Sequence, residues 1–312
     1  MKKEISYGPD RIDLMHTFIR IVEAGSLSAA AARLNTTQPT VSRRLQSLER
    51  LLGLKLVMRT THVMKLTADG ERCYAHARQL LDSWLAIEDD LRGSAREPTG
   101  TLRVLVPHAF GQDQMIKPLR DYLLRYPQIS VEWMLSDRHP DFMAESIDCA
   151  VHVGAVSAPD VVAVLVAEVP RIVIAAPALF DGRDSVSRPQ QLGALPWLAL
   201  STFYRNEVVL QHESRDERCR IDIQPRFMTD SLYALRNSAL AGMGVGVLSA
   251  WMARQDIAVG RLLRLMPHWQ AAPLPVYLVY PYARYYPAKL RLFLDMMRQV
   301  MPALIGTRQP GG

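Results

Sequence analysis

Between Gln38 and Gln46 the stretch QPTVSRRLQ crowds amide, hydroxyl and guanidinium groups into less than three helical turns. These are groups that read base-pair edges: Gln bonds bidentately to adenine, Arg to guanine, and the Thr methyl touches that of thymine. Gln38, Pro39, Thr40, Ser42, Arg43 and Arg44 are therefore candidate nucleic-acid contacts, with Ser42, Arg43 and Arg44 able to grip phosphates instead. Two short helices must position them. Ser26 can cap the first, whose Ala29, Ala30, Ala31 and Ala32 keep it thin enough for close packing, and Asn35, Thr36 and Thr37 break it. Thr37 can cap the second and Pro39 suits its first turn, while Val41, Leu45 and Leu48 form a buried i, i+4, i+7 stripe. The competing reading of such a pair alone is an ordinary helical hairpin with a solvated polar face.

Charge narrows the choice. Residues 1–66 hold 11 Lys or Arg against 5 Asp or Glu, a net of +6 that equals the formal charge of all 312 residues, so the remainder is near balance. A compact basic segment on a neutral body is the footprint of a module that displaces counterions from a polyanion. Membrane-surface binding would call for an aromatic-rich basic amphipathic helix, which the segment lacks. Beyond the hairpin, two extended stretches around a polar turn suit a wing from which Arg59, His62 and Lys65 reach flanking phosphates or the minor groove. From Glu71 to Arg92, Cys73, Ala77, Leu80, Trp84, Ile87 and Leu91 recur at four- and three-residue steps, one seam along a long helix. That seam is expected to pair with a second copy, although a helix packed on its own domain would show the same spacing. A two-fold pair would carry two reading heads to two half-sites.

The run from Phe18 through Gly70 includes AARL at 31–34, Gln38-Pro39, Val41-Ser42-Arg43, Leu48-Glu49, Leu52-Gly53, Leu56, Arg59 and Leu66-Thr67. It resembles the LysR-type transcriptional regulators, and the resemblance extends over nearly the whole chain, with its specific motifs in the first 70 or so residues. It implies an α/β protein with an N-terminal winged helix-turn-helix, a long dimerisation linker helix, and a C-terminal two-lobed effector domain like a periplasmic binding protein. It also implies assembly of dimers into a homotetramer. Two positions depart from the pattern: Val57, where the family usually has Phe, and His152, where Arg is common in Asp-x-Ala-x-x-x-Gly. The first bears on packing and the second on effector choice.

The expected division is residues 1–66 for the DNA-binding head, 67–93 for the linker helix, 94–100 for a hinge, 101–305 for the two α/β lobes and 306–312 for a tail. Strand-like 101–107, helical 115–125 and strand-like 129–135 and 147–153 alternate as in a doubly wound lobe. A second lobe is expected from a strand near Arg171–Ala176, with 197–201, a helix over 231–241 and 245–248. By the resemblance, 276–282 and a helix from Pro287 to Met301 return to the first lobe, so that two crossing strands form a hinge. Ligands in open α/β sheets sit beyond the carboxyl ends of strands, which selects His108, Phe110, Ser136, Asp137, Ser201, Thr202, Phe203 and Thr229. Hydroxyls, a ring and helix N-termini there could hold a small organic acid, although each residue singly reads equally well as a loop or cap position.

Other patterns carry less. Gly242-Met243-Gly244-Val245-Gly246 follows a helix and precedes a strand, the reverse of a dinucleotide fingerprint, and reads as a tight turn. Cys73, Cys149 and Cys219 are too few and scattered for a disulfide framework or a zinc site, and Cys149 with Cys219 reads as two inert thiols ahead of a peroxide-sensing pair. His152 reads as a core or lining residue ahead of a metal ligand. There is no legible catalytic triad, paired carboxylate, metal or cofactor motif, and neither an export signal nor a membrane span is expected. The expectation is a cytoplasmic, non-enzymatic regulator that binds double-stranded promoter DNA and a small-molecule effector. The alternative is a solute-binding protein or small-molecule enzyme whose N-terminal hairpin mediates dimer contacts, and a third possibility is a nucleoid-type protein that binds DNA without sequence preference.

Overall fold

A computed structural model describes residues 10–59, 64–92, 97–182 and 186–304. The chain divides into two compact units, one from Met1–Gly100, Pro140–Asp148 and Ala283–Arg291, the other from Thr101–His139, Cys149–Tyr282 and Leu292–Gly312.

In the first unit, α1 (Arg11–Ala24) begins where the Asp10 carboxylate accepts from the Ile12 amide, and it stops at Gly25 in the left-handed region. Ser26 caps α2 (Leu27–Arg33) by accepting from the Ala29 amide, and Ala30 and Ala31 are buried as the small-residue spacing predicts. The third helix, α3 (Gln38–Leu52), has Thr37 at its cap position and Pro39 in its first turn. The Thr37 hydroxyl does not cap, however; it pairs with that of Thr40 at 2.9 Å, so Pro39 and the extended backbone of Thr37 start the helix without it. Val41, Leu45 and Leu48 are 0–3 % exposed and pack with Leu14, Phe18, Ile21 and Leu56. Each such side chain is worth about 1.5–3 kcal/mol on burial. Strands β1 (Val57–Arg59) and β2 (Met64–Leu66) pair antiparallel as a wing, and α4 (Ala68–Arg92) follows. Val57, the first of the two departures from the pattern, is half-buried against the head's core.

The second unit carries one sheet. Its elements in chain order are β3 (Gly100–Val106), α5 (His108–Gln112), α6 (Ile116–Arg125), β4 (Ile129–Leu135), β5 (Cys149–Val153), β6 (Val161–Ala175), β7 (Trp197–Leu200), β8 (Glu207–His212), β9 (Arg218–Asp222), β10 (Pro225–Thr229), α7 (Leu232–Leu240), β11 (Val245–Ser249), α8 (Ala250–Ala258), β12 (Leu263–Leu265), β13 (Trp269–Pro281) and α9 (Ala288–Val300). Strand order is β10-β7-β11-β6-β13-β5-β3-β4, with β12 beside β6 and the β8–β9 hairpin joined to β13. Two long antiparallel strands, β6 and β13, run through both halves of this sheet. On one side, β3 and β5 are parallel; on the other, β7 is parallel to both β10 and β11. This is the architecture of two lobes joined by crossing strands.

Three expected boundaries shift. The strand expected from Arg171 begins at Val161, that expected from Val276 begins at Trp269, and that expected from Ile147 begins at Cys149. The first two shifts share a cause: Pro170 and Pro273 interrupt the apolar runs, and the strands absorb them through a register shift between Ala271 and Leu274, while Pro275 stays paired with Glu168. Gly242, with φ 74°, ends α7, and a Cβ at Gly244 would lie 2.5 Å from the Pro196 carbonyl oxygen, so the glycine run is the helix-to-strand turn expected of it.

Candidate nucleic-acid interface and effector site

The tip of α3 presents Gln38, Pro39 and Arg43 to solvent, with Thr40 and Ser42 half-buried beside them. Burial of Val41, Leu45 and Leu48 on the opposite face fixes this orientation. Arg44 differs: its guanidinium donates to the Thr17 hydroxyl of α1 at 3.2 Å, which ties α3 to its neighbour and turns the side chain partly inward. Lys65 is exposed on β2 and Arg59 closes β1, while His62 lies outside the described residues. Along α4 the expected seam divides: Ala77 is buried in the head's own core and Cys73 packs against it, whereas Leu80, Trp84, Ile87 and Leu91 are exposed, Leu91 at 78 %.

Glu49 is a residue whose role only the structure reveals. Buried at the end of α3, it accepts from the Leu56 amide at 3.0 Å and from Lys55 Nζ at 2.6 Å, so it locks the turn that leads from α3 to the wing. Burial pushes its carboxyl up, but the hydrogen bonds from Lys55 and the Leu56 and Val57 amides outweigh that and hold it below the ordinary value of 4.5. A depressed carboxyl adds stability that is fully present above its unfolded pKa and lost as pH falls through its folded pKa. Replacing Glu49 by Gln is therefore expected to cost about 1 kcal/mol at neutral pH, discounted for the exposed Lys55. Thermal melts of the full chain should show the two proteins converging as pH drops below about 4.5; a constant gap down to pH 3 would contradict the assigned ionisation.

In the sheet-bearing unit the expected residues fall at carboxyl ends of strands on both sides. After β3, the His108 ring Nδ1 lies 3.1 Å from Asp137 Oδ2, and its amide donates to Asp137 Oδ1 at 3.3 Å. Phe110 is only 2 % exposed and packs on Trp251 with ring centroids 5.5 Å apart. Ser136 is engaged in the turn, its hydroxyl accepting from the Arg138 amide. Across the sheet, the Ser201 amide donates to the Thr229 carbonyl at 2.8 Å, the Thr229 hydroxyl accepts from the Ser231 amide, and Thr202 is exposed. The phenol of Tyr233 donates to Asp113 at 2.5 Å, joining α7 to the turn after α5, and burial with that carboxylate pushes the phenol up to about 12.

Phe203 has an unexpected partner. The guanidinium carbon of Arg171 sits 5.8 Å from its ring centroid and 5.3 Å from that of Tyr204. Gly154 closes the same cluster: its φ of 106° is one that L side chains rarely adopt, and a Cβ there would also stand 3.3 Å from the Phe203 ring, which together account for the glycine ending the Asp148-x-Ala150-x-x-x-Gly154 pattern. His152 is 8 % exposed, stacks on His139 at 4.5 Å and contacts the Ala155 carbonyl through Nε2. Burial, then His139, pushes its pKa down, which favours the neutral ring. Among the described residues no group of three or more His, Cys, Asp or Glu could hold a metal ion, and no helix is long and apolar enough to cross a membrane. Cys149 and Cys219 are buried, and burial raises the Cys219 thiol, a setting of low thiolate reactivity.

A winged helix-turn-helix with an exposed polar face on α3, in one chain with a two-lobed α/β sheet, is the architecture of a ligand-responsive DNA-binding regulator. Residues 12–71 match the family described as bacterial regulatory helix-turn-helix protein, lysR family, and residues 95–302 match the LysR substrate binding domain. The chain belongs to the LysR-type transcriptional regulators, which bind DNA and carry an effector-binding domain. It is 29 % identical over 285 residues to the HTH-type transcriptional regulator PtxR of Pseudomonas aeruginosa, covering 91 % of each chain. It is 25 % identical over 283 residues to the transcriptional activator TtdR of Escherichia coli K12, again covering 91 % of each. Among solved structures it is similar to CrgA, a LysR-type regulator of Neisseria meningitidis, at 25 % identity and a TM-score of 0.57 over 92 % of this chain and 97 % of that one. A full-length OxyR variant of Pseudomonas aeruginosa shares the fold at 17 % identity, with a TM-score of 0.68 over 98 % and 99 % of the two chains.

Proposed function

We propose that Gln38, Pro39, Thr40 and Arg43 read base edges in the major groove, while Ser42, Arg44, Arg59, His62 and Lys65 hold the flanking backbone. The observation that carries this reading is the exposure of Gln38 and Arg43 on a helix whose other face is fully buried. Leu80, Trp84, Ile87 and Leu91 pair α4 with a second copy, since exposed apolar residues at this spacing need a partner helix. Pairs of dimers form a homotetramer in the cytoplasm. The protein acts by binding, without turnover: a small molecule held by His108, Asp137, Ser201, Phe203 and their neighbours favours one arrangement of the lobes and so the spacing of the heads, which requires different affinities for the two arrangements.

A footprint of the purified protein over DNA adjoining its own gene, with and without candidate metabolites, tests this reading. Two protected half-sites on one face of the duplex, altered by a metabolite, are expected; uniform protection indifferent to sequence would support a nucleoid-type protein instead.

A further inference from the structure

Arg171 is the largest charged side chain in the interior of the sheet-bearing unit, 1 % exposed. Its Nη2 donates to the Val247 carbonyl at 3.3 Å, its Nε has no hydrogen-bond partner, and among the described residues no carboxylate pairs with it. A guanidinium remains protonated under all ordinary conditions, so this is a full positive charge held out of water by a carbonyl and two ring faces. A buried cation without a counter-ion is strongly unfavourable, and such groups persist where something else requires them.

Its surroundings point to what that is. Arg171 stands directly opposite Ser249 in the β6–β11 ladder, so both side chains lie on the same face of the sheet. Ser249 ends β11 and immediately precedes α8, yet its side chain does not cap that helix. Two residues on, the indole Nε1 of Trp251 is buried without a partner, the side chain being 7 % exposed overall. Tyr204, beside the guanidinium, adopts φ 59°, a conformation unfavourable for a bulky residue and one that the surrounding structure must impose. Around the guanidinium the partners are a single backbone carbonyl and two rings, with the Ser249 hydroxyl on the same face at the carboxyl end of β11.

We propose that Arg171 anchors an anion site in the regulatory domain, and that the effector binds it through a compact oxyanion, a carboxylate or an inorganic phosphate or sulfate. This rests on the effector reading above and names its chemistry. The oxyanion accepts from the unpartnered Nε, with the Ser249 hydroxyl on the same face as a second donor, which neutralises the buried charge.

Thermal unfolding of the full-length protein tests this at constant ionic strength against chloride, with acetate, succinate and benzoate in one arm and phosphate and sulfate in the other. At least one arm should raise the wild-type Tm saturably by about 3 °C or more. Arg171→Met should lose that shift, Arg171→Lys should keep a reduced one, and Ser249→Ala, which leaves the charge in place, should weaken it. Without anion, Arg171→Met should melt at or above wild type, because an uncompensated charge gives way to an apolar group of similar length. A response confined to the second arm assigns an inorganic ligand, and one in the first arm an organic acid. A wild-type protein indifferent to both arms, or an Arg171→Met protein that keeps the shift, would overturn the proposal. Duplex binding by the same variants separates the two layers: Arg171→Met should bind DNA as wild type does, so loss of the anion site alone leaves the regulator reading intact.

Discussion

Gly70→Ala should destabilise the DNA-binding head by about 4 kcal/mol or more, among the largest effects of any single substitution in the chain. Gly70 lies in the first turn of α4, where its amide donates to the Thr67 hydroxyl. A Cβ at this position would stand 2.0 Å from the Leu56 carbonyl oxygen and 3.2 Å from a Leu66 methyl. The Leu66 methyl, at the end of a flexible side chain, can shift, but the carbonyl cannot yield cheaply, because it also accepts from the Thr67 amide at 3.0 Å and Leu56 is fully buried. Helix propensity alone predicts the opposite sign, with alanine better by about 1 kcal/mol. Gly53 supplies the control: its φ is 69° with nothing near its Cβ position, so Gly53→Ala should cost only about 1 kcal/mol of backbone strain. Thermal unfolding of both variants checks the pair; a Gly70→Ala protein as stable as wild type would show that the first turn of α4 does not pack on the Leu56 carbonyl as described.

Arg43→Ala should weaken binding to a preferred duplex by roughly 5- to 150-fold, about 1–3 kcal/mol, and relax base preference at one position of each half-site. Arg43 is exposed near the start of α3, and the Val41–Leu45–Leu48 face beneath it is fully buried, so its removal should alter recognition and leave folding intact. Lys65→Ala on β2 should act differently. A phosphate contact from the wing carries no sequence information, so its loss should weaken all duplexes alike and reduce the salt slope by about 1. Titrations of specific and random duplexes at several salt concentrations separate the two, and equal losses on both duplexes for Arg43→Ala would refute base reading by that residue.

The head was legible because its determinants are local. A Ser before an alanine run, a Pro in a first turn and an apolar stripe at helical spacing each act within a few residues, and each reappears in the structure as a cap, a helix start or a buried face. The regulatory sheet was less so. The long reach of β6 was hidden by Glu168 and Pro170, and that of β13 by Pro273 and Pro275, since propensity counts prolines against a strand while a register shift accommodates Pro170 and Pro273. The β8–β9 hairpin carried a signal that could have been used: Val208 and Leu210 alternate with exposed neighbours, as do Cys219 and Ile221. Arg171 was not legible at all, being one arginine in an apolar run. Its bond to the Val247 carbonyl, and its place opposite Ser249, depend on strand pairings between residues 76 or more positions apart.

Selection of binding sites from a pool of randomised duplexes by the full-length protein tests the central claim most directly, because it assumes no operator. The exposed face of α3 should enrich an inverted pair of half-sites one or more helical turns apart, and Arg43→Ala should enrich a pair degenerate at one position in each half. Recovery of a pool with no shared sequence, or of the same sites by wild type and Arg43→Ala, would contradict recognition by this helix.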